Sequence, residues 1–274
     1  VADVLRAHWQ DYCQAHGTAV TPLQHRVAAA IMHCQTAALG GHLFECPSCG
    51  QREVSYNSCR NRHCPKCQGY KAQEWVEKRS DELLPVPYFH TVFTLPHELN
   101  ALLLMNKRLM YELLFTAASR TLLKIGKKNL KCQLGFFSLL HTWGQTLTLH
   151  PHLHVVIPGV GISLDGSKVV RLKKKRYFVS DKILSLVFRG KFVQLLKRAH
   201  AAGKLRGEFD DFEAFINRAV RSNWVVRTKP PFGSPQVVLK YLARYTHRVA
   251  IGNSRILAVK DGSVTFRYKD YRTE

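Results

Sequence analysis

Two histidines at alternate positions of an apolar run carry the most specific chemistry in this chain. In His150-Pro151-His152-Leu153-His154-Val155-Val156-Ile157-Pro158, the period of two in a strand puts His152 and His154 on one face and turns Leu153 and Val155 into the core. Two imidazoles in so hydrophobic a strand are expensive unless they share a ligand, and the pattern points to one divalent cation. A third protein ligand is needed. His141, on the partner strand of a hairpin, is preferred; Gln145, closer to the turn, and His150, behind Pro151, are the alternatives. Imidazoles with open coordination positions suit Mg²⁺ or Mn²⁺ acting as a Lewis acid on a phosphate without itself supplying the nucleophile.

Lys240-Tyr241-Leu242-Ala243-Arg244-Tyr245-Thr246-His247-Arg248 offers that nucleophile. At i and i+4 the two phenols share one helix face, with Arg244 and Arg248 within a turn of them. Tyrosine attack on DNA yields a phosphotyrosine and a free 3′-hydroxyl, which suits strand transfer better than hydrolysis. Lys240, Arg244 and Arg248 would favour the phenolate and meet the DNA backbone. Tyrosines at this spacing are more often packing residues, and it is the histidine strand that gives them weight.

Cys46-Pro-Ser-Cys49-Gly and Cys64-Pro-Lys-Cys67-Gln are two CxxC knuckles. Each presents two thiolates, so Cys46, Cys49, Cys64 and Cys67 are the expected ligands of one structural Zn²⁺. Cys34, His42, Cys59 and His63 are four further residues of ligand type, enough for a second zinc. Arg60 and Arg62, between the knuckles, make the module a candidate DNA contact as well. Cys13 and Cys132 read as core cysteines.

The chain has 274 residues, 41 Lys and Arg against 19 Asp and Glu, and a formal charge of +22. A polyanion is the natural partner. Apolar runs such as Leu102 to Met105 are too short to span a bilayer, and the N-terminus lacks the succession of a secretory signal. Clustered cysteines then favour metal sites over disulfides and a cytoplasmic location, the bacterial cytosol.

The elements that must position these residues follow from pattern. Helical spacing covers 24–38, 71–84, a long stretch to about Lys127, 181–201 and 209–221. Residues 42–68 read as a loop-built knuckle with little periodicity. Strands are expected at 88–95, 136–143 and 152–157, and hairpin turns at Asp165-Gly166 and Asp261-Gly262. Ser234-Pro235 caps a helix from Val237 to about His247. The basic run Arg171 to Arg176 reads as a solvated hairpin face. The plan is α+β: a small helical and zinc-knuckle domain, 1–84, then a domain at 85–274 with a central antiparallel sheet flanked by helices.

Over nearly its whole length the sequence resembles the two-tyrosine HUH transposases of the insertion-sequence family ninety-one and related common-region elements. The residues that carry this are Cys59-Arg-Asn-Arg-His-Cys-Pro-Lys-Cys67, Phe93-Thr-Leu-Pro96, His141-Thr-Trp-Gly-Gln145, His150-Pro-His-Leu-His154 and Tyr241-Leu-Ala-Arg-Tyr245-Thr-His-Arg248. The resemblance implies an HUH nuclease domain whose sheet is shared with rolling-circle initiators and relaxases. It implies His152 and His154 as metal ligands, Tyr241 and Tyr245 as nucleophiles, and single-stranded or hairpin DNA at element ends as substrate. No organic cofactor is expected. Family members continue beyond Arg272-Thr-Glu274, so a C-terminal segment is expected to be missing. A replication initiator or relaxase would need the same chemistry, and a non-catalytic zinc-dependent DNA-binding protein is the reading from another class. A metal phosphohydrolase would call for an acidic cluster, which does not accompany the histidines.

Overall fold

The computed structural model describes residues 1–79, 82–172, 179–229, 237, 243 and 249–269. Tyr241, Tyr245, Lys240, Arg244 and Arg248 lie outside them, as do most of the helix expected from Val237 to about His247 and most of the basic run after Arg171. The chain divides into two compact units, one drawn from Val1–Ser80, Gln145–Leu147 and Leu242–Glu274, the other from Asp81–Gly144 and Thr148–Tyr241. The first is discontinuous in sequence, unlike the block 1–84 expected.

The second unit is built on a four-stranded sheet. Strands β3 (Tyr88–Thr94), β5 (Phe137–Trp143), β6 (Leu149–Pro158) and β9 (Val226–Lys229) run in the order β5-β6-β3-β9, every pair antiparallel. Alternation explains which side is core. Phe89 and Phe93 of β3, Leu153, Val155 and Ile157 of β6 and Val226 of β9 join one buried cluster.

Against that face pack α5 (Lys107–Ile125) and α6 (Asp181–Ala201). Their buried residues recur at helical spacing: Met110, Leu114, Ala117, Ala118 and Leu122 on α5, and Leu184, Phe188, Phe192 and Leu196 on α6. Phe93 meets Phe188 edge-on with ring centroids 5.1 Å apart, and Trp224 closes on Phe188 at 5.5 Å. Each such side chain contributes roughly 1.5–3 kcal/mol by leaving water.

The long helical stretch expected before Lys127 is broken at Asn106 between α4 (Asn100–Met105) and α5. The Asn106 side chain donates to the carbonyls of Leu102 and Arg206 and accepts from the Arg206 amide, so a polar side chain that could have continued a helix instead anchors a loop. A helix α7 (Phe212–Arg221) starts at Asp211, whose carboxylate accepts from the Ala214 amide. The Asp165-Gly166 turn joins β7 (Val160–Ser163) to β8 (Val169–Arg171), and with β4 (Cys132–Leu134) they form a second sheet in the order β4-β7-β8.

The first unit has little apolar core. Helix α1 (Ala2–His16) buries no residue, and α2 (Pro22–His33), opened by a Thr21–Gln24 capping box, buries only Ala28 and Ile31. The buried cluster here is Ile31 with Cys34, Cys64 and Cys67.

Residues 42–68 are not all loop. Strands β1 (Gly41–Glu45) and β2 (Arg52–Tyr56) pair antiparallel, and helix α3 (Pro65–Arg79) begins inside the second knuckle with Pro65 in its first turn, ahead of the start expected at Lys71. The Cys46–Gly50 knuckle serves as the hairpin turn, with Gly50 donating to the Cys46 carbonyl at positive φ. The Asp261-Gly262 turn likewise joins β10 (Ile256–Lys260) to β11 (Ser263–Phe266).

Candidate functional site

Sheet register brings three histidines together. His141 of β5 lies opposite His152 of β6, and His154 lies opposite Leu139 on one side and Val92 of β3 on the other. Opposed residues share a face, so His141, His152 and His154 all stand on the side away from the α5–α6 core. They are 2%, 9% and 7% exposed, and one ring nitrogen from each lies within 4.8 Å of the others.

His152 Nε2 and His154 Nε2 are 3.0 Å apart. Two nitrogens bound at a right angle to one octahedral cation, each at about 2.1 Å, would be about 3.0 Å apart. The donor set therefore fits a divalent ion with positions left open for oxygen ligands. The outer ring atoms are engaged too. His152 Nδ1 donates to the His150 carbonyl at 2.6 Å, and His154 Nδ1 is 2.9 Å from His90 Nε2.

Trp143 stacks on His141, ring centroids 5.1 Å apart, and its indole Nε1 is buried with no hydrogen-bond partner among the described residues. His150 and Gln145 are not part of the triad. The His150 ring lies 5.2 Å from that of His152 and 5.6 Å from that of His97; burial, and then the His97 charge, push its pKa down. Gln145 belongs to the other unit, where its carbonyl accepts from Arg255 at 2.6 Å.

Residues not singled out in the sequence share the histidine face. His90 is 1% exposed, and burial first, then Lys229 and the neighbouring histidines, push its pKa down to about 3. Arg227 pairs with Val92 and Lys229 with His90, which puts two exposed cations of the edge strand β9 on the same face. Arg227, Val92 and His154 form one cross-strand row, so Arg227 starts two strand spacings, about 10 Å, from His154. The sequence signal for His90 was its even spacing from Val92 and Thr94, which becomes informative only once β3 is registered against β6.

In the other unit the thiols of Cys34, Cys59, Cys64 and Cys67 lie within 4.8 Å of one another. Sγ of Cys67 is 3.5 Å from that of Cys34 and 3.7 Å from that of Cys59. Four sulfurs around a tetrahedral zinc, each at about 2.3 Å, would be about 3.8 Å apart. Amides of Cys59 and Asn61 donate to the sulfurs of Cys34 and Cys59. Burial pushes the Cys34 and Cys59 thiols up; Cys67 falls against its own burial because the thiols of Cys34, Cys59 and Cys64 donate to it.

This is not the grouping expected. Cys46 and Cys49 are exposed and outside the cluster, as are His42 and His63, while Cys34 and Cys59 take the two places beside Cys64 and Cys67. The reason is the β1–β2 ribbon. Its strands, rising about 3.3 Å per residue, carry the first knuckle about 15 Å from the base of the hairpin. At that base Gln35 donates to Asn57 and Asn57 to Gly40, which tethers Cys34, the C-cap of α2, beside the segment leading to Cys59. Cys46 keeps a knuckle's polarity, its pKa lowered by hydrogen bonds from the Cys49 and Ser48 backbone. Arg60 and Arg62 are exposed within the segment joining Cys59 to Cys64.

The chain is similar to known proteins. A family model described as "Putative transposase" matches residues 135–274, and one described as "Transposase zinc-binding domain" matches 4–95. "Putative transposase y4qJ" of Sinorhizobium fredii (strain NBRC 101917 / NGR234) is 45% identical over 99% of this chain and 70% of its own. The transposase for insertion sequence element IS801 of Pseudomonas savastanoi pv. phaseolicola is 26% identical over 89% of this chain and 60% of its own. Among solved structures, the conjugative relaxase TrwC in complex with oriT DNA aligns in its metal-free form with 57% of this chain and 71% of that chain, at 14% identity and a TM-score of 0.31. No described helix is long and apolar enough to cross a membrane.

Proposed function

The chain belongs to the IS91 family of transposases, and we propose that it cleaves and rejoins single-stranded DNA at insertion-sequence ends by metal-assisted tyrosine attack. His141, His152 and His154 would hold a Mg²⁺ or Mn²⁺ ion, which would supply Lewis acidity to the scissile phosphate. The phenolate of Tyr241 or Tyr245 forms a bond to phosphorus, the bond to the 3′ oxygen breaks, and that oxygen leaves as a 3′-hydroxyl after taking a proton. The 5′ end stays on the tyrosine, and attack by another 3′-hydroxyl reverses the step and joins strands.

Arg227 and Lys229, together on the edge strand β9, bind backbone phosphates of the strand, and Trp143 Nε1–H is a donor ready for an oxygen of the substrate. Zinc in the Cys34, Cys59, Cys64 and Cys67 cluster holds the other unit together, with Arg60 and Arg62 facing DNA. The work is done in the bacterial cytosol, on the nucleoid.

The convergence of three buried ring nitrogens on one sheet face carries this reading, because two of the rings already have their outer nitrogens engaged. The test is a single-stranded oligonucleotide from an element end, incubated with Mn²⁺ or Mg²⁺. Cleavage is expected from the wild type and not from His152→Ala, or from the wild type in EDTA. Equal cleavage by His152→Ala and wild type would defeat the metal assignment, and no cleavage with either ion would defeat the activity.

A further inference from the structure

His90 belongs to neither ligand set, yet it is the most deeply buried histidine on the sheet face and touches the outer nitrogen of His154. Its Nε2 sits 2.9 Å from His154 Nδ1, the two rings nearly parallel at 8° with centroids 5.1 Å apart. His152 has a different neighbour. The outer nitrogen of His152 faces the backbone carbonyl of His150, which can only accept, so Nδ1 must carry the proton and Nε2 keeps its lone pair. His154 has an imidazole in the corresponding place, which can either donate or accept. If His90 Nε2 donates, His154 is protonated on Nε2, the atom 3.0 Å from His152 Nε2, and cannot bind a metal there. If His90 Nε2 accepts, His154 Nε2 is a ligand.

From this geometry we infer that His90 is a positioning residue: neutral and protonated on its own Nδ1, it accepts the Nδ1 proton of His154 and thereby holds His154 in the metal-binding tautomer and orientation. This rests on the reading of His154 as a ligand. A histidine ligand ordinarily passes its second proton to a carboxylate or carbonyl; here a second imidazole takes that place, from the neighbouring strand. Strand register enforces it, because Val92 pairs with His154 and His90 is two residues away along the same face of β3. A neutral partner adds no negative charge to the site, so the ion's charge is left for the phosphate to neutralise.

The test uses the full chain and Mn²⁺ alone, with affinity read by calorimetry. His90→Ala is expected to weaken Mn²⁺ binding by about 10- to 100-fold, and His90→Gln, whose amide oxygen can accept the same proton, to restore it to within several-fold. Nitrogen-15 imidazole spectra of the Mg²⁺-saturated wild type should show His154 protonated on Nδ1, a readout that needs no variant to fold. Mn²⁺ affinity unchanged in His90→Ala, or His154 protonated on Nε2 in the Mg²⁺-saturated protein, overturns the inference. His154→Ala separates the two layers. If it binds Mn²⁺ as tightly as wild type, the ligand reading itself fails; if it loses the ion while His90→Ala does not, only the role of His90 fails.

Discussion

Exchanging one thiol of the four-cysteine cluster for a hydroxyl tests the regrouped zinc site. The unit that holds it buries Ile31 and three cysteine side chains in its cluster and little else, so the ion replaces an apolar core. Structural zinc of this type is worth roughly 10–16 kcal/mol at neutral pH. Shared over four thiolates, one ligand accounts for about 3 kcal/mol, or about 10²-fold in affinity. Cys34→Ser is therefore expected to bind its zinc about 10²-fold more weakly, and residues 1–79 to become protease-sensitive at chelator concentrations the wild type resists. Cys46→Ser/Cys49→Ser leaves the four-sulfur site untouched. Replacing zinc with Co²⁺ makes the difference visible: one equivalent in the double variant keeps the tetrathiolate spectrum, while Cys34→Ser shifts to that of three thiolates. A tetrathiolate spectrum intact in Cys34→Ser and lost in Cys46→Ser/Cys49→Ser would refute the regrouping and restore the knuckle-to-knuckle site.

Two further outcomes follow from the histidine face. Arg227→Ala/Lys229→Ala is expected to weaken single-strand binding uniformly across sequences and to flatten the salt dependence by about 1.4, at roughly 0.7 for each phosphate left unneutralised; an unchanged slope would remove β9 from the interface. In metal-free protein, His90 stays neutral in the fold with its pKa pushed down to about 3, mainly by burial. Below about pH 6.5 the unfolded chain takes up a proton that the folded chain refuses, so stability is full at neutral pH and falls as pH drops toward about 3, by several kcal/mol in all. Urea midpoints between about pH 7 and pH 4 should fall more steeply for wild type than for His90→Gln, and equal slopes would contradict this.

Much of the histidine site was legible because period two is enforced by the core on the opposite face. Leu153, Val155 and Ile157 fix which way β6 turns, and His152 and His154 follow. His141 needed a partner strand, and only the register of β5 against β6 pairs it with His152. The cysteine grouping was not legible, because spacing alone cannot tell two knuckles sharing one ion from one knuckle carried off on a ribbon. Alternation at Val54 and Tyr56 was the missed sign of that ribbon, weak because both side chains are exposed. His90, Arg227 and Lys229 depend on pairings between segments far apart in the chain, which no local pattern records.

The covalent bond itself is the most direct measurement. Wild-type protein incubated with a single-stranded element end and Mn²⁺, digested and sequenced by mass spectrometry, should yield a peptide in which Tyr241 or Tyr245 carries the 5′-phosphate of the cleaved strand, with no such peptide from Tyr241→Phe/Tyr245→Phe. Cleavage that leaves a free 5′-phosphate and no adduct, or an adduct on any other residue, would contradict the account.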